Sequence, residues 1–290
     1  MLKVRLFGLF GRNRINPLWQ YRSTGLLWHV RPASLEVLVG EERDPDRKEA
    51  TFFSINRVTG RVHWRDKQFG DSWWTGIEAV QGDVLLVHGF ATPSMPQHRG
   101  LIAIDLLSGR ELWRRDDVQY AALASNEVRV IDADRNSECT LDLHTGEQRK
   151  GRGYLPENMP AGSQESMIFP VPLEFVHQQN PQLGSNVQAL LAEIRTVGPI
   201  DVAEHGNLYV VNYHENRNAS DSGRPLMNNV LVVVDRKRQK VVFSTVLDEA
   251  VRQLVPESFF IHGNLLFCIT GRHTLLALPL SQDDDRTALT

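Results

Sequence analysis

Apolar residues along this chain come in short runs, and each run opens just after a turn-forming pair. The clearest are Val84-Leu85-Leu86-Val87 after Gly82-Asp83, Val128 to Val130 after Asn126-Glu127, Leu208 to Val211 after Gly206-Asn207, and Leu265 to Cys268 after Gly263-Asn264. Runs of four to six apolar residues bounded by Gly, Asn and Asp predict strands rather than helices. Two weaker copies, Ser34 to Val39 and Glu165 to Phe169, bring the number of units to six, with anchors 38 to 57 residues apart. Val187 to Ile194 fits a strand or a short helix equally well.

A second element follows the first. Ile55 to Trp64, Ile104 to Trp113 and the shorter Leu141 to Glu147 share an Asn or Asp at the turn entry and a Gly four residues later. The first two copies end on tryptophan. Val234 to Phe243 keeps the Asp and replaces the Trp by Phe. An Asx side chain at a turn entry accepts backbone N–H bonds, and the glycine supplies positive φ. Tryptophan then gives the outer strand a large apolar plug.

A four-strand unit repeating every 40 to 50 residues, roughly, is the size of a propeller blade. The expected fold is therefore all-β, a six-bladed β-propeller, with five or seven blades left open by residues 150 to 200. The last unit stops at Leu280 without an aromatic outer strand, while Pro17 to Arg22, with Trp19, is an outer strand without a unit. Pairing the two would close the ring and hide its open edges. The organisation expected is an extension over 1–14, a propeller domain over 15–280 and a disordered acidic tail over 281–290.

The pattern Ala-x-Asp-x-x-Ser/Thr-Gly-x-x-x-Trp, best kept from Ala103 to Trp113, resembles the tryptophan-docking repeat of the pyrroloquinoline-quinone-like β-propeller superfamily. The likeness covers about three blades. It implies that Gly60, Trp64, Gly109, Trp113 and Gly146 are structural. The enzymatic branch of that superfamily carries eight blades, a secretion signal, an adjacent Cys-Cys disulfide and acidic calcium ligands. Here the two cysteines, Cys139 and Cys268, stand 129 positions apart, so the resemblance is to a non-enzymatic, six-bladed, cytoplasmic bacterial branch, and no quinone or other cofactor is expected.

Composition narrows the function. The formal charge is −3, from 32 basic and 35 acidic residues, so no global field favours nucleic acid. The N-terminal apolar run is interrupted by Lys3 and Arg5 and lacks the core and cleavage site of a signal peptide. A cytoplasmic protein is expected, with membrane contact confined to a possible amphipathic role for residues 1–14. Asn218-Ala219-Ser220 fits a glycosylation sequon and is read as a polar loop. No phosphate loop, His-Glu-x-x-His or nucleophile elbow occurs.

Candidate binding residues come from topology. The segments Glu41 to Ala50, Gly89 to Gly100, His177 to Asn186 and Asn212 to Asn228 are expected as long loops on one face, where binding residues concentrate. They and neighbouring connections contribute Trp73, Trp74, His98, Arg99, His177, His214, Arg217, Arg272 and His273, an aromatic and arginine-rich set suited to docking a protein partner. Glu78 and Asp201, on innermost strands, are expected to face a central channel. A ligand site or enzyme at that channel is the alternative. No metal site is expected, because no two histidines have the i, i+2 or i, i+4 spacing that puts imidazoles side by side on one element.

Overall fold

The computed structural model describes residues 16–33, 36–92, 94–124, 126–149, 167–217 and 226–280. The chain forms two compact units. Most of the described residues are in antiparallel strands, so the fold is mostly β as expected, with two helices that an all-β fold would lack.

β1 (Trp19–Arg22) is followed by two four-stranded meanders. The first is β2 (Leu26–Pro32), β3 (Val37–Asp44), β4 (Glu49–Asn56) and β5 (Val62–Lys67); the second is β6 (Thr75–Gln81), β7 (Val84–Thr92), β8 (Met95–Asp105) and β9 (Glu111–Arg115). A three-stranded sheet follows, β10 (Val118–Ala124), β11 (Glu127–Asp132) and β12 (Ser137–Asp142). These three sheets make up most of one unit.

In the other unit, β13 (Met167–Ile168), β14 (Val171–Pro172), α1 (Leu173–Gln179) and α2 (Pro181–Leu191) precede the long strands β15 (Thr196–His205), β16 (Leu208–Arg217), β17 (Leu226–Asp235) and β18 (Lys240–Val251). The chain then finishes with β19 (Phe259–His262), β20 (Leu265–Thr270) and β21 (Thr274–Pro279). Strands β14 to β18 form one sheet in chain order, and the last has the order β1-β21-β20-β19-β13. The Trp19 segment therefore does join the C-terminal strand, with the Leu18 amide donating to the Ala277 carbonyl at 2.8 Å.

The described residues make five sheets rather than six. Among the described residues of the unit anchored near 165, Met167 and Ile168 pair with His262 and Ile261 at the edge of the last sheet. Pro170 and Pro172 lack the N–H that a longer strand would need. The ambiguous Val187 region is helical. Pro181 opens α2 and the Asn180 side chain accepts from the Leu183 amide at 3.2 Å, a normal N-cap. Leu183, Val187 and Leu191 then recur at helical spacing and bury against Val202, Tyr209 and Val211 of β15 and β16.

Three of the four expected long loops are regular structure. Residues 41–50 are the end of β3, a tight turn and the start of β4; residues 89–92 and 95–100 are the extended arms of the β7–β8 hairpin; residues 177–186 lie in α1, a one-residue break and α2. The reason in the first case is a turn of the same kind as the repeat's own. Asp44 Oδ1 accepts from the amides of Asp46 and Arg47, and Lys48, four residues on, takes φ 56°. The middle of the fourth segment, and the expected 1–14 extension and 281–290 tail, lie outside the described residues.

Packing explains the repeat. Trp64, at the end of the first copy, donates from Nε1 to the Leu106 carbonyl in the turn of the second, at 2.9 Å. Trp113 does the same to Leu143 of the third, at 2.8 Å. Each indole covers the turn glycine ahead of it: a Cβ on Gly109 would come within 2.8 Å of Trp64, and one on Gly146 within 2.7 Å of Trp113. Both glycines also hold positive φ, 64° and 69°, so no other residue meets both conditions.

Between the sheets, alternate residues of β7 face opposite ways. Leu85 and Val87 bury against Phe52, Trp64 and Phe69, whereas Val84 and Leu86 bury against Trp113, Val128 and Leu141. Both cysteines are free, and burial pushes the Cys268 thiol up to about 12. Among the described residues no helix is long and apolar enough to cross a membrane.

Candidate functional site

The first part of the site is a turn. Gly70 takes φ 73°, and Asp71 Oδ1 accepts from the amides of Trp73 and Trp74, both at 2.8 Å. Those bonds hold the Asp71 carboxyl below its usual range. They also set the two indoles at the entrance to β6.

The guanidinium of Arg43 on β3 donates to the carbonyls of Trp73 and Thr75. It is itself paired with buried Glu41, Nε to Oε1 at 2.6 Å. Arg43 lies 5.0 Å from the Trp73 ring centroid and Lys48 Nζ 4.9 Å from it, so two cations share one aromatic ring. Trp74 is 38% exposed and meets Phe90 of β7 edge-on at 5.9 Å.

Deeper in the same sheet, three polar side chains converge. Cross-strand pairing sets Phe90 opposite His98 on β8, and His88, two residues before Phe90, lies on the same face. Between Ile77 and Ala79 the β6–β7 register shifts, which leaves Glu78 as the extra residue of a bulge; such bulges re-aim a side chain. Here Glu78 Oε2 stands 2.8 Å from His98 Nδ1 and 3.1 Å from His88 Nδ1. The two imidazoles are stacked, with centroids 3.5 Å apart and planes 8° from parallel.

Burial alone would raise the Glu78 carboxyl, but the two imidazoles close beside it outweigh burial and leave the group below its usual range. Burial, and next the charge of Glu78, raise the Tyr120 hydroxyl on β10. His88 is 6% exposed, and its Nδ1, although close to Glu78, lacks the alignment of a hydrogen bond. Its Nε2 and Glu41 Oε2 lie 3.2 and 3.3 Å from the point where a Cβ on Gly76 would stand. Glycine at 76 is what lets this carboxylate and this imidazole close over the β6 backbone.

Residues 33–113 match a family model described as a domain of unknown function, DUF4905. That span includes β3 to β8 and every residue of the site named so far except Tyr120. No curated protein matches the sequence. Among solved structures, the β-propeller domain of the Trilobed protease from Pyrococcus furiosus is 12% identical, with 91% of this chain and 74% of that chain covered and a TM-score of 0.28. The WD40 domain of SCAP from fission yeast is 7% identical over 96% and 70%, with a TM-score of 0.28, and a eukaryotic initiation factor is 10% identical over 85% and 72%, with a TM-score of 0.19.

The structure thus gathers Trp73, Trp74, Glu78 and His98, all singled out in the sequence, and adds Arg43, Lys48, His88 and Phe90. The remaining expected residues go elsewhere. Arg99 reaches Asp134 at 3.4 Å. His273 Nδ1 stands 2.9 Å from the Gly25 carbonyl, and the Arg272 carbonyl accepts from Leu27, so both serve the local chain path.

In the other unit, His177 lies directly over Gly184, holding α1 to α2, and Arg217 faces Glu249 at 4.0 Å. Asp201, paired opposite Asn212 on β16, is held above its usual range by burial and by the charge of Glu174. Its placement is not that of Glu78, which has two imidazole partners.

His214 is buried rather than offered to a partner: its Nε2 accepts from the Val255 amide at 3.0 Å. Close by, Asn229 donates to Asp248 and Ser258, each at 2.9 Å, and accepts from Asn212 at 2.6 Å. Burial lowers the His214 pKa from 6.5, and the Asp248 charge opposes it less strongly. The folded state thus binds fewer protons than the unfolded chain below pH 6.5, and stability is lost as pH falls from there through the folded value. Unfolding midpoints at pH 7.5 and 5.5 should fall further apart in the wild type than in His214→Gln, which keeps an acceptor and cannot charge. Equal spacing in both would contradict the assignment.

Proposed function

We propose that the chain is a β-propeller-type interaction module that holds a protein partner at the Trp73–Trp74 end of the β6–β9 sheet. The observation that carries this reading is the fixation of Trp73 by Arg43 and Lys48, with Trp74 exposed beside it. Aromatic and arginine side chains dominate binding hot spots, and a surface ordered in advance loses little entropy on association. Two cations at the rim suit a partner that presents an apolar side chain among carboxylates.

A photo-crosslinking residue tests this when placed at position 74 and, separately, at Leu107, which is 48% exposed in the β8–β9 turn at the other end of the same sheet. In cells, position 74 should give a discrete protein adduct and position 107 none. Adducts of equal yield at both positions, or none at 74, would overturn the proposal.

A further inference from the structure

We propose that Glu78, His88 and His98 form a binding site for one divalent transition-metal ion of the zinc class. The inference rests on the side chains of this cluster and does not depend on the docking surface. One ligand atom from each of the three residues lies within 4.8 Å of the other two. In a tetrahedral site with metal–ligand bonds of 2.0–2.1 Å, ligand atoms stand about 3.3 Å apart. The contacts of 2.8 and 3.1 Å from Glu78 Oε2 to the imidazole nitrogens need to open by a few tenths of an ångström, and the two stacked rings must turn so that each nitrogen lone pair points at the ion.

Donor chemistry selects the ion. Two imidazole nitrogens and one carboxylate oxygen suit zinc and its neighbours, whereas magnesium and calcium require mostly oxygen ligands and copper(I) favours sulfur. The buried Nδ1 of His88 has no aligned hydrogen bond, and an ion held among the three side chains would satisfy it together with Glu78 and His98.

The surroundings also match what a metal needs. The His98 side chain is 41% exposed, which leaves an entry path and room for a fourth, exchangeable ligand. Phe90 closes one side, its ring 5.1 Å from His88 and 5.2 Å from His98.

The test uses the full chain, stripped with a chelator and titrated with cobalt(II), whose visible d–d absorption reports nitrogen and oxygen ligation. The wild type should bind one equivalent, release it to zinc(II), and unfold at higher temperature with zinc present. His98→Ala, at a half-buried position, should keep its fold and lose the absorption; Glu78→Gln should weaken binding by about tenfold or more. Gly76→Ala, which touches no ion, should also weaken binding by crowding His88, again by about tenfold. No cobalt absorption in the wild type, or an absorption that His98→Ala leaves unchanged, would overturn the proposal.

Discussion

Replacing Trp113 by alanine is expected to destabilise the β6 to β12 region by about 3–5 kcal/mol, the usual cost of removing a large buried aromatic. The indole is 8% exposed and packs among Val118, Val128, Val130, Leu141 and Leu143. Little can move in to fill the space. The turn beneath it is tied by Asp142, which accepts from His144 and Thr145 at 2.9 and 3.0 Å and binds Arg149. The Leu143 carbonyl also loses its donor. Trp113→Phe separates the two contributions, since it keeps most of the packing and drops only the hydrogen bond, worth about 1 kcal/mol. Denaturant midpoints for the three proteins give the comparison; a loss under about 1 kcal/mol for the alanine variant would show that the indole is not the plug described here.

Gly40→Ala should be as damaging for the opposite reason. A Cβ at position 40 would fall 2.0 Å from Phe53 Cζ and 2.2 Å from its Cε1, inside the ring's own volume. Phe53 is fully buried and stacked on Tyr21 with centroids 4.4 Å apart, and Tyr21 in turn donates to buried Glu42 at 2.6 Å. The ring has nowhere to retreat. Overpacking of this kind costs about 1–3 kcal/mol and more where neighbours are fixed. Phe53→Leu removes the atoms in conflict, so the double variant should be more stable than Gly40→Ala alone. Additive losses in that cycle would place the damage elsewhere.

The repeat was legible because its physics is local. An Asx side chain, a glycine four residues on and a distant tryptophan are each visible in the sequence, and Asn56, Asp105, Asp142 and Asp235 all accept turn amides as expected. The same turn went unrecognised where another residue holds positive φ: Lys48 after Asp44, and Asn136 after Asp132. Gln239 fills the glycine position in the degenerate copy. Without the glycine the signal is faint, and residues 41–50 read as a loop.

The Glu78 cluster was half legible. Glu78 and His98 are both candidates in the sequence, but for different roles, and the ten residues between His88 and His98 match no spacing on a single element. A spacing rule describes one strand or one helix. These imidazoles meet across a hairpin, where the register, including its irregularity at Gly89 and the bulge at Glu78, decides who faces whom. A search for histidines placed symmetrically about a hairpin tip would have found the pair.

The way each indole rests on the turn ahead of it bears on how the chain matures as it leaves the ribosome. Trp64 has no seat until residues 105 to 109 have emerged, and Trp113 none until 142 to 146 have followed. A large greasy ring stays uncovered for the time it takes to make roughly thirty to forty-five further residues, so slow translation through either interval would lengthen the period in which chaperones or aggregation compete for it.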